Sequence, residues 1–449
     1  MLRIDNKIRI MMPLRIRDFR LLWIGESVSL LGDGIYYVAL AWQVYALSNA
    51  PTALSAVGVA WTVPMVVFML LSGVLSDRFD RRALLILSDV IRFVAVVIIG
   101  VLSITGVLEL WHMFVFVAIY GIGDAFFGPS FGAIIPDLVP QHLLVEANSL
   151  GQFVRPLAER LLGPAVGGIV IAAAGEGNEG YAFLFDALTF VVSGACIYAI
   201  TGRKGASSKE RQDSMFSEIA EGLRFVRAHT WLWATLAAAS LMLLFWVGPF
   251  EVLLPFVIKN NLNSGADALG LVFAAGGVGS ILVAVVMAQR GLPRRHMVFM
   301  YLSFAVAAGA VAGFAFVTTV WQAMIFGFID GAAVSAGMIV WSTLMHRLVP
   351  RALLGRVQSL DWMVSTGLTP LSFALTGPLW KLIGLRSTLI GAGALGAVAM
   401  LAFMVLPRLY DTEKDERMRI HGVSRKHEDS WDRDSKEERD IEHSAKMSG

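Results

Sequence analysis

Apolar runs long enough to cross a lipid bilayer recur along this chain, and no other feature restricts its fold so strongly. A hydrocarbon core of about 30 Å needs about 20 residues of helix, at about 1.5 Å per residue. About twelve such runs are bounded by charge, Gly or Pro, near 19–47, 53–75, 83–105, 112–135, 148–174, 181–201, 231–257, 268–288, 296–318, 321–345, 357–381 and 386–408. With 56% hydrophobic and 16% charged residues, the composition excludes an ordinary soluble domain. The expected class is therefore an all-α integral membrane protein with twelve transmembrane helices.

Lys and Arg in the short connections set the orientation. One side collects Arg15, Arg17 and Arg20, then Arg78, Arg81 and Arg82, Arg290, Arg294 and Arg295, and Arg347, Arg351 and Arg356; the other holds only Lys259, Lys381 and Arg386. Both termini are expected on the cytoplasmic side of the cell membrane.

An internal repeat divides the spans. "LVPQHLLVEANSL" (138–150) and "LVPRALLGRVQSL" (348–360) share seven residues at identical positions, 210 residues apart. The chain thus reads as two parallel six-helix bundles. The expected organisation is a basic N-terminus (1–18), a first bundle (19–201), a linker (202–230), a second bundle (231–408) and a disordered tail of mixed charge (409–449). Within the linker, Met215, Ile219, Leu223 and Val226 share a helical face, which predicts an amphipathic helix on the membrane surface.

Charge inside the spans is sparse, and each instance needs a partner, a watery cavity or a function, because burial near mid-bilayer costs about 2.5–3.5 kcal/mol. Span one carries Glu26 and Asp33, seven residues apart on one face; span four carries Asp124; span five carries Arg155, Glu159 and Arg160; span ten carries Asp330. Arg155 and Glu159, four apart, have a purely structural reading as an ion pair. Glu251 near the outer end of span seven, Asp361, Asp186 and the Asp89/Arg92 pair are expected in interfacial or structural roles.

The loop "GVLSDRFDRR" (73–82) packs five charges between two apolar spans. With "GPAVGG" (163–168), "FRLLWIGESVSLLGDGIYYVAL" (19–40) and "EGLRFVR" (221–227), it resembles the major facilitator superfamily from about residue 15 to 408. The similarity is to the drug-efflux branch that includes macrolide, tetracycline and siderophore exporters, in which an Asp at position 80 is common where other relatives carry Gly. The resemblance implies that spans one, four, seven and ten line a central cavity flanked by spans two, five, eight and eleven. It implies a cytoplasmic gate at Gly73, Asp77, Arg78, Arg81 and Arg82, although topology alone also accounts for the arginines. Gly163, Pro164, Gly167 and Gly168 look like the antiporter helix motif.

In such a cavity Asp33, Asp124, Glu159, Arg155 and Arg160 would meet and exchange protons, with Glu26 and Asp330 as further candidates. Tyr36, Tyr37, Trp42 and Gln43, Phe126 and Phe127, Trp246, and Met338 and Trp341 are candidate substrate contacts. Such walls suit amphiphilic compounds, and a carboxylate among them favours cations. Membrane aromatics also serve as packing or belt residues.

"GAGALG" (391–396) matches a dinucleotide fingerprint but lies inside span twelve with no strand before it. No phosphate-binding loop is present, so ATP is not expected as the direct energy source. His142, His229, His296 and His346 have no metal-ligand spacing, and Cys196 is the single cysteine. Neither metal, cofactor, enzyme activity nor nucleic-acid partner is expected. The leading function is a monomeric, proton-driven exporter of amphiphilic drugs. A siderophore, metabolite or lipid exporter and a non-transporting sensor or receptor remain alternatives.

Overall fold

A computed structural model of the chain describes residues 11–175, 177–201, 215–411 and 413; the side chains at 70, 71, 73–78, 145, 152, 215–219, 351 and 352 lie outside that description. Within it the protein is helical, and ten helices are long and apolar enough to cross a membrane. Two features reconcile this number with twelve spans. Span one (Arg17–Leu47) interrupts its apolar surface with Glu26 and Asp33. The stretch Leu353–Phe403, 51 residues, is too long for a single crossing and is broken at Gly384, where φ is +80°. Spans eleven and twelve lie on either side of that glycine.

The two halves repeat each other's packing. Span two (Pro51–Arg78) packs on span four (Leu110–Leu138), and span three (Arg81–Ile104) packs on span four and on span six (Gly180–Tyr198). The same pairings recur between span eight (Ala266–Arg290) and span ten (Val320–Leu348), and between span nine (His296–Gly313) and spans ten and twelve. Span one packs on span six, as span seven (Thr230–Asn261) packs on span twelve. This is the twelve-helix architecture of two six-helix bundles related by a parallel pseudo-repeat.

Two seams join the bundles, span two against span eleven and span five (Gln141–Ala174) against span eight. Small residues bring the backbones together there. A Cβ on Gly168 would stand 2.7 Å from the Ala266 carbonyl oxygen, one on Gly377 would meet Thr52 Cα at 2.8 Å, and one on Gly270 would collide with the Pro164 carbonyl. All these contacts lie towards the end remote from the termini. There span one and span seven are also bound together: Tyr45 Oη donates to the Val252 carbonyl at 2.6 Å, Lys259 Nζ donates to the Tyr45 carbonyl at 2.8 Å, and the Asn49 and Asn260 amides bond reciprocally. Towards the other end, Gly128, Gly132, Gly151 and Gly355 face no described atom within 4 Å of a built Cβ.

Spans five and seven are not regular α-helices. Residues Pro156–Leu162 form a π-helical turn, and Pro249–Leu253 and Val257–Asn261 form two more. Each wide turn accommodates a proline or an inserted residue at the cost of poorer hydrogen-bond geometry, and such turns concentrate at functional positions. The first contains Glu159 and Arg160, and the second contains Glu251.

The linker helix is Met215–Ala228. Rather than resting wholly on the membrane surface, it packs on the start of span eleven: Gly222 lies against Leu360 and Arg356, and Glu221 pairs with Arg356. Val226 is buried and Leu223 is exposed; Met215 and Ile219 have side chains outside the described residues. The tail expected to be disordered from residue 409 begins with anchored residues. Leu409 is buried, and Glu413 accepts a hydrogen bond from the Met297 backbone N–H at 2.8 Å, satisfying an orphan donor at the start of span nine. The remaining tail lies outside the described residues.

Candidate functional site

The charges of the first bundle gather around a residue expected to be peripheral. Arg92, one turn along span three from Asp89, is 1% exposed. Its Nη2 lies 2.7 Å from Asp89 Oδ1, and its Nη1 lies 3.7 Å from Asp33 Oδ1 and 3.6 Å from Asp124 Oδ1. The guanidinium plane is held between two rings, with Cζ 4.4 Å from the Phe127 centroid and 4.5 Å from that of Phe190. Span four admits Arg92 because position 123 is glycine, where a Cβ would stand 2.7 Å from Arg92 Cγ. Asp33 and Asp124 are therefore brought together through Arg92 and not through the cations of span five. The peripheral reading of the Asp89/Arg92 pair is corrected accordingly.

Hydrogen bonds orient both acids. Tyr120 Oη donates to Asp33 Oδ1 at 3.0 Å, and Trp61 Nε1 from span two donates to Asp124 Oδ2 at 3.3 Å. The side chains of the two acids keep partial access, 16% for Asp33 and 25% for Asp124, whereas the side chain of Arg92 keeps 2%. The acids are thus reachable from outside the cluster while the cation is sealed behind them.

Span five forms a second group. Arg155 bonds Glu159 at 3.0 Å, the i,i+4 pair, and also reaches Glu26 of span one at 3.3 Å. The wide turn directs the next cation elsewhere: the charge of Arg160 acts on Glu251 of span seven and on Asp330 of span ten, across the seam between bundles. Glu251 is half-buried within the second wide turn. Asp330 is 2% exposed and accepts from Trp246 Nε1 at 2.8 Å.

The aromatic candidates divide by environment. Tyr36 is fully buried and stacks on Tyr120 at 4.3 Å, so it is a wall behind the site. Tyr37 remains partly accessible and meets Trp61 at 5.6 Å; Phe126 is likewise half-buried, against Phe68. Phe127 is committed to Arg92. Trp246 stacks on Phe250 at 5.0 Å, and Trp341 donates to Asp361 at 3.0 Å. Met338 is 50% exposed. Two candidates sit away from any central surface: Gln43 is buried and accepts from Ser103 of span three at 2.5 Å, and Trp42 is buried beneath Lys259 Nζ at 5.5 Å. Trp61, absent from the sequence candidates, belongs to the accessible group with Tyr37.

The glycines at 163–168 fill a three-helix junction. A Cβ on Gly163 would meet the Leu31 carbonyl oxygen at 2.6 Å and Gly34 Cα at 2.7 Å, one on Gly167 would meet Ile35 Cα at 3.0 Å, and Gly168 and Pro164 face span eight at Ala266 and Gly270. At the terminal end, Arg81 bonds Asp137 and the Ala133 carbonyl of span four, both at 2.8 Å, and Arg82 lies over the Tyr198 ring of span six. Asp80 caps span three by accepting from the Arg82 backbone N–H at 2.9 Å. The basic pair thus ties together the helix ends of its own bundle. Gly73, Asp77 and Arg78 have side chains outside the described residues.

Paired helical bundles with glycine seams, enclosing mid-span ion clusters that water can reach, define a multi-pass membrane transporter. The comparisons agree. A family model described as a transmembrane secretion effector matches residues 9–437, and the chain belongs to this family of the major facilitator superfamily. It is 28% identical over 403 residues to the multidrug efflux pump Tap of Mycolicibacterium fortuitum, covering 85% of this chain and 94% of the relative. It is 24% identical over 381 residues to the uncharacterized MFS-type transporter YfiS of Bacillus subtilis (strain 168), covering 83% and 88%. Macrolide efflux protein A of Streptococcus pyogenes is 26% identical over 246 residues, 55% of this chain and 60% of that one. Among solved structures, a bacterial homologue of the human lysosomal transporter Spinster, inward-facing and unoccupied, superposes with TM-score 0.69 at 14% identity over 90% of this chain and 98% of that one. A D-xylose-proton symporter gives 0.65 at 14% identity over 87% and 98%. These two likenesses concern the fold alone.

Proposed function

We propose that the protein is a secondary exporter of the cell membrane that exchanges protons for amphiphilic small molecules, cations above all, by alternating access, with both termini cytoplasmic. The observation that carries this reading is the charge balance around Arg92. Asp33, Asp89 and Asp124 share one guanidinium, so the fully ionised cluster holds a net charge of −2 in a poorly solvated interior. Each proton bound at an accessible acid removes one unit of that charge, and arrival of a monovalent cation offsets one unit as well, so the two ligands compete for the same electrostatic vacancy. Tyr37 and Trp61 supply an aromatic surface beside Asp124 for the apolar part of such a substrate. Closure of the end remote from the termini suits one state of a cycle in which the bundles rock about the site. The names of Tap and macrolide efflux protein A support outward drug movement as the direction and substrate class.

The test is transport of ethidium in proteoliposomes under an imposed pH gradient. Wild-type flux should follow the gradient and reverse with it. Asp33→Asn should reduce gradient-driven flux by about 100-fold, the scale of losing an essential proton-transfer group, with insertion and melting temperature unchanged. Flux indifferent to the gradient would refute proton exchange.

A further inference from the structure

Behind the cluster of three acids lies a fourth carboxyl group for which transport through the accessible acids has no use. Asp186 of span six is 0% exposed. Among the described residues no Lys, Arg or His is within ion-pair distance of it. Oδ1 accepts a 3.4 Å hydrogen bond from Thr189, and Oδ2 has no partner. The carboxyl sits against span one at Gly32, where any Cβ would collide with Asp186 Oδ1 and Thr189 Oγ1. A larger residue at 32 would fill the notch, so span one is shaped to keep this acid beside Asp33. A second buried polar atom next to it is also unpartnered, the Tyr36 hydroxyl, and the Tyr36 ring packs edge-on against Phe183, one turn before Asp186.

Charged and titratable groups of three neighbouring spans lie near Asp186, and Asp89 of span three reaches span six as well, at Ser193. Span one presents Asp33 and Tyr36, span three Arg92, and span four Asp124. Asp33 acts on it most strongly of these, ahead of Arg92. Arg92 is the one cation in this set, and its Nη atoms already serve Asp33, Asp89 and Asp124. Burying a carboxylate without its own counter-ion or full hydrogen bonding is strongly unfavourable.

We propose that Asp186 is a second proton-binding site of the first bundle, closed to the central surface and coupled to Asp33 through space, so that the charge on one acid governs proton occupancy of the other. This rests on the proton-exchange reading and deepens it: the exporter holds a proton in reserve behind the acid that meets substrate. Binding is simple protonation of a carboxylate oxygen. When Asp33 gains a proton, its negative charge disappears and Asp186 can release its own.

Infrared spectroscopy of the purified, ligand-free protein tests this without requiring transport, so its failure is distinguishable from failure of the exporter reading. Wild type should show a protonated-carboxyl C=O band near neutral pH that is lost in Asp186→Asn, an isosteric change expected to leave the melting temperature intact. In Asp33→Asn the same band should titrate with its midpoint moved to lower pH by at least about one unit, since a neighbouring negative charge is gone. A neutral-pH acid band unchanged in Asp186→Asn overturns the site. A midpoint that does not move in Asp33→Asn overturns the coupling.

Discussion

Arg92→Met is expected to leave a protein that inserts but is destabilised by about 3–5 kcal/mol, the usual consequence of removing one partner from a buried ionic group. Asp33, Asp89 and Asp124 lose their shared counter-charge at once, and Phe127 and Phe190 lose the plane packed between them. In detergent the melting temperature should fall by roughly 3–5 °C, and gradient-driven flux should vanish. Arg92→Lys keeps the charge but not the planar fork, so it should fall between the two. The informative variant is the double substitution Arg92→Met/Asp89→Asn, which removes the 2.7 Å partner along with the cation. It should recover part of the lost stability. A single Arg92→Met variant that melts like wild type would show that the cluster does not depend on this guanidinium.

The second large effect is expected at the seam between bundles. Gly270→Leu introduces a side chain where even a Cβ collides with the Pro164 carbonyl and approaches Gly168 Cα at 3.3 Å. Backbone cannot move aside as a flexible side chain can, so the closed arrangement of spans five and eight is lost while each bundle keeps its own core. Disulfide trapping reads this directly. With Cys196→Ser as background, Asn49→Cys and Asn260→Cys replace two side chains that hydrogen-bond each other. They should cross-link readily on oxidation in the otherwise native protein and at least about tenfold less in the Gly270→Leu variant, a shift of about 1.4 kcal/mol or more in the closed population. Equal cross-linking in both would mean that the seam does not control closure.

The spans and their pairing into halves were legible because the bilayer imposes a length and a composition that no tertiary contact can override. The ion cluster was legible only in its members. Spacing along a helix fixes which residues share a face, as it does for Glu26 and Asp33, but not towards which neighbour that face is turned. Arg92 was therefore assigned outward by the expected order of spans, although the counter-charge needed by Asp33 and Asp124 was a sufficient reason to look for a buried cation, and Gly123 marked where it fits. Gln43 erred the other way, since polarity on span one suggested a substrate contact while its amide is spent on Ser103. The wide turns left no trace beyond Pro156 and Pro249, because one additional residue within a wholly apolar segment changes neither its hydropathy nor its length enough to notice. That is why the sequence reading does not connect Arg160 with Glu251, although each lies within a wide turn of the folded chain.

The wide turns of spans five and seven also bear on how the halves can move. A π-helical turn holds a surplus residue, and moving that surplus one place along the rod re-aims the side chain it passes by about 100° while nearly every backbone bond is remade rather than lost. Spans five and seven can therefore behave as camshafts: without unwinding or tilting, each can re-aim Arg160 or Glu251 and bring it back.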